Sequence, residues 1–139
     1  MKIRIYQSKD EQQVIDLWIE CGLTVPWNDA KKDIQRKVND SPDMFFVGEI
    51  EGEIVASCMA GYDGHRGWIY FLAVKPTYQK RGFAKSILQY SEEALLKIGC
   101  PKIELMVRNT NEKVISFYEK VGYINDPIVV LGKRLINDD

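Results

Sequence analysis

A chain of 139 residues, 45% hydrophobic and 28% charged, has the composition of one soluble globular domain, and residues 1–139 are read as a single unit with room for a sizeable core. A formal net charge of -1 gives no overall pull toward nucleic acid or an anionic membrane, and no apolar run approaches the length of a membrane span. Cys21, Cys58 and Cys100 are odd in number, widely spaced and without clustered histidines, which argues against a metal site or a disulfide framework and for a reducing cytoplasm.

The N-terminus, Met1-Lys2-Ile3-Arg4-Ile5, does not have the form of a signal peptide, and Lys2 to Tyr6 alternates as a first strand. Ser8-Lys9-Asp10-Glu11 reads as a capping box with Ser8 at the cap, opening a helix with Val14, Ile15, Leu17, Trp18 and Cys21 on one face and Gly22 at its end. Asn28 or Asp29 caps a second helix, Ala30 to Asn39, whose only apolar positions are Ile34 and Val38; so thin a stripe suggests a mobile, partly exposed helix. Met44–Ile50, the turn Glu51-Gly52 and Ile54–Tyr62 form a hairpin, and Asp63–Gly67 turns the chain into an apolar strand, Trp68–Val74. A long amphipathic helix follows Gly82 and stops at Gly99 and Pro101. Lys102–Arg108 is the next strand, parallel to Trp68–Val74 because a helical crossover joins them. Asn111–Val121 is a last helix, Ile128–Leu135 a closing strand, and the tail Ile136–Asp139 looks dispensable. The expected fold is α+β: a mixed, mostly antiparallel sheet with a central parallel pair and helices on both faces.

Two stretches carry chemistry. The first is Leu72-Ala73-Val74-Lys75-Pro76-Thr77-Tyr78-Gln79-Lys80-Arg81-Gly82-Phe83-Ala84. A strand, a short basic turn and a helix N-terminus in that order make an anion site, because the first helical turn offers free N–H groups and the positive end of the dipole. Gly82 permits close approach, and Lys80 and Arg81 add charge. The turn lacks the lysine-serine ending of a P-loop and lacks three spaced glycines, so ATP and dinucleotides fit poorly; an ordinary structural turn is the alternative. If the parallel strands splay beyond a bulge near Leu72–Val74, an extended amide-rich ligand could pair with the freed backbone. The second stretch is Asn111–Tyr123. Asn111 and Tyr118 are two helical turns apart and share a face, though Tyr118 reads equally as a core aromatic.

Taken in order and spacing, Leu-Ala-Val, Gln-x-x-Gly-x-Ala, a helix, a strand and Asn-x-x-Val-Ile-x-Phe-Tyr-x-Lys-x-Gly-Tyr resemble the GNAT superfamily of acetyl-CoA-dependent N-acetyltransferases. Gly61–Gly67 and Leu131–Leu135 are similar, more narrowly, to small bacterial YpeA-type acetyltransferases. The resemblance implies transfer of an acetyl group from acetyl-CoA to a small-molecule or peptide amine. It implies that Leu72, Ala73 and Val74 line the acetyl and pantetheine arm, and that backbone N–H groups of Gln79, Lys80, Arg81, Gly82, Phe83 and Ala84 hold the pyrophosphate. Asn111 would meet the pantetheine side, and Tyr118 would protonate the departing thiolate.

The chain also departs from that pattern. Trp68 stands where some members carry a glutamate base and Met106 where others do; strand alternation makes Tyr70 and Glu104 the in-line substitutes, acting through water, with an ordinary solvated carboxylate as the alternative reading of Glu104. His65, the only histidine, suits a turn residue on the acceptor side, and Trp27 a wall of the acceptor pocket. The short closing region implies an open site or a homodimer partner that finishes it. The missing glutamates leave an acyl-CoA-binding sensor without turnover as the alternative to an enzyme.

Overall fold

The computed structural model describes residues 1–139. Five strands, β1 (Lys2–Ile5), β2 (Phe45–Ile50), β3 (Glu53–Tyr62), β4 (Gly67–Val74) and β5 (Ile103–Leu105), form one sheet in the order β1-β2-β3-β4-β5. The pairings β1–β2, β2–β3 and β3–β4 are antiparallel; β4–β5 is parallel, as the helical crossover requires. Helices α1 (Glu11–Glu20) and α2 (Ala30–Asp40) cover one face, and α3 (Phe83–Lys97) and α4 (Glu112–Lys120) cover the other.

The two apolar layers follow the sequence periodicities. Val14, Leu17 and Trp18 of α1 pack with Ile34 of α2 on Phe45, Val47 and Met59. Ile87, Leu88 and Leu95 of α3, with Tyr118 of α4, pack on Phe46, Cys58, Ala60 and Ile69. Alternation thus divides β2 and β3 between the two cores.

Inside β4 the alternation breaks. Ser57 faces Ala73 and Met59 faces Tyr70, so Phe71 and Leu72 together oppose Cys58 alone. This is a β-bulge, with Phe71 at a φ of 50°. Its effect on direction is visible in the packing: Ile69 and Leu72, three apart, both meet the α3 layer, while Phe71 meets the α1 layer. Pairing with β5 ends at Ile69–Leu105, so the two parallel strands part at the bulge.

Four sequence expectations change. The cap before α1 is not Ser8: a 3-10 turn occupies Ser8–Asp10, and the buried Asp10 carboxylate accepts the Gln7 N–H at 2.9 Å while pairing with Arg4 at 2.7 Å. Strand β5 spans three residues rather than Lys102–Arg108, because no strand pairs its outer edge. The segment Ile128–Leu135 forms no strand, and its Ile128, Val129, Val130 and Leu131 are exposed. The tail is not dispensable: the Asp138 side chain is 3% exposed and is gripped by α2.

Helix α2 is accordingly held by more than its thin stripe. Ile34 is buried, Asp29 caps the helix by accepting the Lys32 N–H at 3.1 Å, and the Lys37 ammonium donates to Ser41 Oγ at 2.8 Å and to the Ala60 carbonyl at the end of β3.

Candidate active site

At the end of β4 a 3-10 turn, Pro76–Tyr78, leads through Gln79, Lys80, Arg81 and Gly82 into α3. Gly82 has a φ of 82°, and a Cβ built there would meet nothing within 4 Å. The first helical bond is Ser86 N–H to the Gly82 carbonyl at 3.0 Å. The N–H groups from Lys80 to Lys85 find no acceptor in the protein, and the space beside Gly82 is open. Free N–H groups at the positive end of a 15-residue helix have the make-up of a backbone cradle for an anion. The side chains of the motif have other tasks. Gln79 Nε2 donates to the Val74 carbonyl at 3.0 Å, tying the turn to the strand end, and the Arg81 guanidinium lies 5.2 Å over the Tyr78 ring.

Next to the cradle, β4 shows an open edge. Lys75 N–H bonds the Val55 carbonyl at 2.8 Å, so Ala56 and Val74 form a non-hydrogen-bonded pair and the Val74 N–H points away from β3. On that side β5 has already parted. The Val74 carbonyl, by contrast, is engaged by Gln79 and by the Cys21 thiol at 3.3 Å. Val74 therefore offers a donor, not an acceptor, to a ligand; Leu72 and Ala73 lie between it and the bulge.

Tyr118 is 9% exposed, edge-on to Phe117 and Tyr123 with ring centroids 5.2 and 5.5 Å away. Burial, with a lesser contribution from Cys58, pushes its phenol well above the usual tyrosine value. Tyr118 remains a hydrogen-bond donor and is a poor acid. Burial pushes the Cys58 thiol up to about 12, which removes it as a nucleophile. Asn111 does not share a free helix face with Tyr118: it is the N-cap of α4, its side-chain oxygen accepting the Val114 N–H at 3.3 Å, and it is exposed.

Neither substitute base has the character of one. Glu104 lies opposite Trp68, before the strands part, and pairs with Arg66 at 3.2 Å and Lys102 at 3.8 Å. Tyr70 is 43% exposed, and its phenol is pushed up by burial, away from the range of a base at neutral pH. His65 sits in the turn before β4, at the opposite end of that strand from the cradle. That turn is fixed by Asp63, whose carboxylate accepts the N–H groups of Arg66 at 2.7 Å and His65 at 2.8 Å.

Trp27 is 57% exposed on the loop between α1 and α2, so it does not pack the loop onto the core. The C-terminus holds that loop instead. Arg134 donates to Asn28 Oδ1 at 2.6 Å; Asp138 accepts the Asp29 N–H at 2.9 Å and pairs with Arg36 at 2.6 Å and Arg134 at 3.2 Å. A cleft of about 880 Å³ lies on the outer side of β5, lined by Ile103, Leu105, Val107, Tyr118, Ile128 and Val130 among others. It reaches Tyr118 but none of residues 72–84, and Ile128 and Val130, from the segment expected to form the closing strand, line it.

The structure thus brings together the turn, the open β4 edge and the helix N-terminus, and leaves His65 and Glu104 at the other end of β4. Sequence reasoning missed Ser57, a lone polar residue in the apolar run Ile54–Ala60, and the Arg36–Asp138 pair, for which no local signal exists.

Comparison with known proteins agrees with this geometry. The model of the acetyltransferase (GNAT) family matches residues 11–123. An acetyltransferase of Sodalis glossinidius is 51% identical over 139 residues, covering 99% of this chain and 98% of that protein. An acetyltransferase of Pectobacterium atrosepticum is 51% identical over 138 residues with the same coverage. Among solved structures, Ard1 from Thermoplasma volcanium superposes with a TM-score of 0.75 at 18% identity, over 88% of this chain and 82% of that one, a likeness of fold. The full-length relatives are named as enzymes, which places the chain with acetyltransferases rather than with acyl-CoA sensors.

Proposed function

This chain belongs to the acetyltransferase (GNAT) family, and on that footing we propose that it moves an acetyl group from acetyl-CoA to a primary amine by direct attack, with no covalent enzyme intermediate. The observation that carries this reading is the row of N–H groups from Lys80 to Lys85 beside the freed edge of β4. The row suits a pyrophosphate, and the edge suits the amide-bearing arm of coenzyme A, which can pair with it as a strand would. Lys80 and Arg81 add favourable charge at the surface.

In this reading the neutral amine attacks the thioester carbonyl, the C–S bond breaks, and the proton shed by the amine passes to water. Backbone N–H groups of β4 at Leu72 and Val74 stabilise the oxygen as it gains charge. Tyr118 donates a hydrogen bond to the departing thiolate. Cys58 is too weak an acid to act as a nucleophile, in keeping with a direct transfer. The amine enters from the α1–α2 side, with Trp27 as one wall. Asn111 supports the site by starting α4, which carries Tyr118.

The test is a panel of amines, including peptide N-termini, lysine, polyamines and small amines, offered to purified protein with acetyl-CoA and read by release of free thiol. Amine-dependent release is expected for at least one class. Tight acetyl-CoA binding with no release across the panel overturns the proposal.

A further inference from the structure

The bulge in β4 lacks the usual cause of left-handed backbone, a glycine, and so must be held by its surroundings. Phe71 has a φ of 50° and a side chain, in a strand with no turn residue near it. Such a conformation is costly for a residue with a side chain and persists only where neighbours impose it. Three contacts do so here. The Trp18 indole N–H donates to Ser57 Oγ at 2.9 Å, and Ser57 Oγ donates to the Phe71 carbonyl at 2.8 Å. The Trp18 and Phe71 rings stack at 3.9 Å with an interplanar angle of 11°. Both Trp18 and Ser57 are fully buried.

We infer that Trp18 and Ser57 are positioning residues for acetyl transfer, which aim the Leu72 N–H into the gap between β4 and β5. This inference rests on the acetyl-transfer reading above. A peptide unit is planar and trans, so its C=O and N–H point in opposite directions. The Phe71 carbonyl and the Leu72 N–H belong to one unit. Drawing that carbonyl toward Ser57 turns the Leu72 N–H the other way, to the side from which β5 has departed. A hydroxyl has one proton to give. By accepting the indole N–H, Ser57 Oγ is left to donate that proton to Phe71, so the direction of the relay is set by Trp18. The stack then fixes the Phe71 side of the bulge. Ser57 itself touches no substrate; it acts through one rotated peptide.

Ser57→Ala removes the donor and keeps the strand apolar. Trp18→Phe removes the orienting N–H and keeps one aromatic ring beside Phe71, at the cost of a cavity where the rest of the indole was buried. A misaimed donor in an active site costs roughly a hundredfold in rate. We expect kcat to fall about 10- to 100-fold in Ser57→Ala and by less in Trp18→Phe, with the acetyl-CoA dissociation constant, measured by calorimetry, within twofold of wild type. Leu95→Ala, which loosens the α3 core at the other end of β4, serves as the control for lost stability. It should lower the melting temperature without lowering kcat at a temperature where every variant is folded. A Ser57→Ala enzyme with wild-type kcat, or a Leu95→Ala enzyme equally slowed, overturns the positioning role while leaving acetyl transfer standing. Absence of both binding and turnover in the wild type overturns the acetyl-transfer reading and the positioning role with it.

Discussion

The Asp138 carboxylate lies 2.6 Å from the Arg36 guanidinium although 102 residues separate them in the chain. With Arg134 to Asn28 and Asp138 to the Asp29 N–H, this pair straps the C-terminus across the loop that presents Trp27. Asp138→Asn, or a chain ending at Leu135, should raise the acceptor KM severalfold or more and leave acetyl-CoA affinity unchanged. Steady-state kinetics with each substrate varied in turn checks this; equal loss for both substrates would show a general structural role instead.

The same clasp should respond to pH in a definite direction. Hydrogen bonding to Arg36 first, and to the Asp29 N–H second, holds the Asp138 carboxyl well below the usual carboxylate range. A carboxyl with a folded pKa below its unfolded value of about 3.9 stabilises fully above that value and loses the contribution as pH falls further. The difference in melting temperature between wild type and Asp138→Asn should be constant from pH 6 to 8 and shrink below about pH 4. A difference that grows on acidification would contradict the assignment.

Gly82→Val should abolish tight acetyl-CoA binding. Its side chain would occupy the open space at the N-terminus of α3, where a Cβ meets nothing within 4 Å, and its φ of 82° would add about 1–2 kcal/mol of backbone strain. We expect at least a tenfold weaker dissociation constant in a protein that melts a few degrees lower but remains folded. Lys80→Ala and Arg81→Ala should cost less, because an exposed cation contributes about 0.3–1 kcal/mol near a helix end. Unchanged affinity in folded Gly82→Val would remove the phosphate site.

Gly67 opens β4 for a different reason. A Cβ there would stand 2.6 Å from Cys100 Sγ and 3.2 Å from Leu95 Cδ1, both buried. Gly67→Ala should therefore destabilise by about 1–3 kcal/mol through overpacking. Adding Cys100→Ala should restore part of the loss, since it clears the nearer atom. Thermal melts of the two variants, compared with Cys100→Ala alone, give the coupling; strict additivity would mean the clash is relieved elsewhere.

Much of the fold was legible because its elements carry their own periodicity. The α3 pattern from Phe83 to Ile98, the Glu51-Gly52 turn and the basic turn after β4 all signal themselves within a short stretch of chain. The bulge does not: Trp68–Val74 is an unbroken apolar run, and Phe71 is bent by Trp18 and Ser57, which lie far away in sequence. Nor does the length of β5, since Lys102–Arg108 alternates well but finds no partner on its outer edge. The tail misleads for a related reason. Asn137-Asp138-Asp139 has the composition of a frayed end, and only the arrival of Arg36 and Arg134 makes Asp138 a buried anchor.

Glu104 is paired to Arg66 and Lys102 at the far end of β4 and burial raises the Tyr70 phenol, which leaves the proposed transfer without a base assigned on the enzyme. In the proposed reaction the amine must then arrive as its free base. The rise of kcat/KM with pH should follow the acceptor's own pKa and move when an acceptor of different pKa is used. One inflection near neutrality, common to all acceptors, would reveal a base on the enzyme.

Tyr118→Phe isolates the phenol from the ring. The ring packs edge-on against Phe117 and Tyr123 in the α3–α4 core, and phenylalanine preserves those contacts. Burial holds the phenol above the ordinary tyrosine pKa of about 10, whereas a thiol titrates near 8.5, so full proton transfer from Tyr118 to the leaving thiolate is uphill. On the proposed reading its contribution is a hydrogen bond to sulfur as charge develops, worth less than a matched general acid. We expect kcat to fall roughly a hundredfold, at the low end for such groups and equivalent to about 2.7 kcal/mol of barrier, with the acetyl-CoA dissociation constant unchanged. Acetyl donors with more acidic thiols need less help at the sulfur, so the defect should narrow with them. Wild-type turnover in Tyr118→Phe would make Tyr118 a core residue alone. A loss of acetyl-CoA binding without loss of kcat would place the phenol in ground-state recognition rather than in the departure of the thiolate.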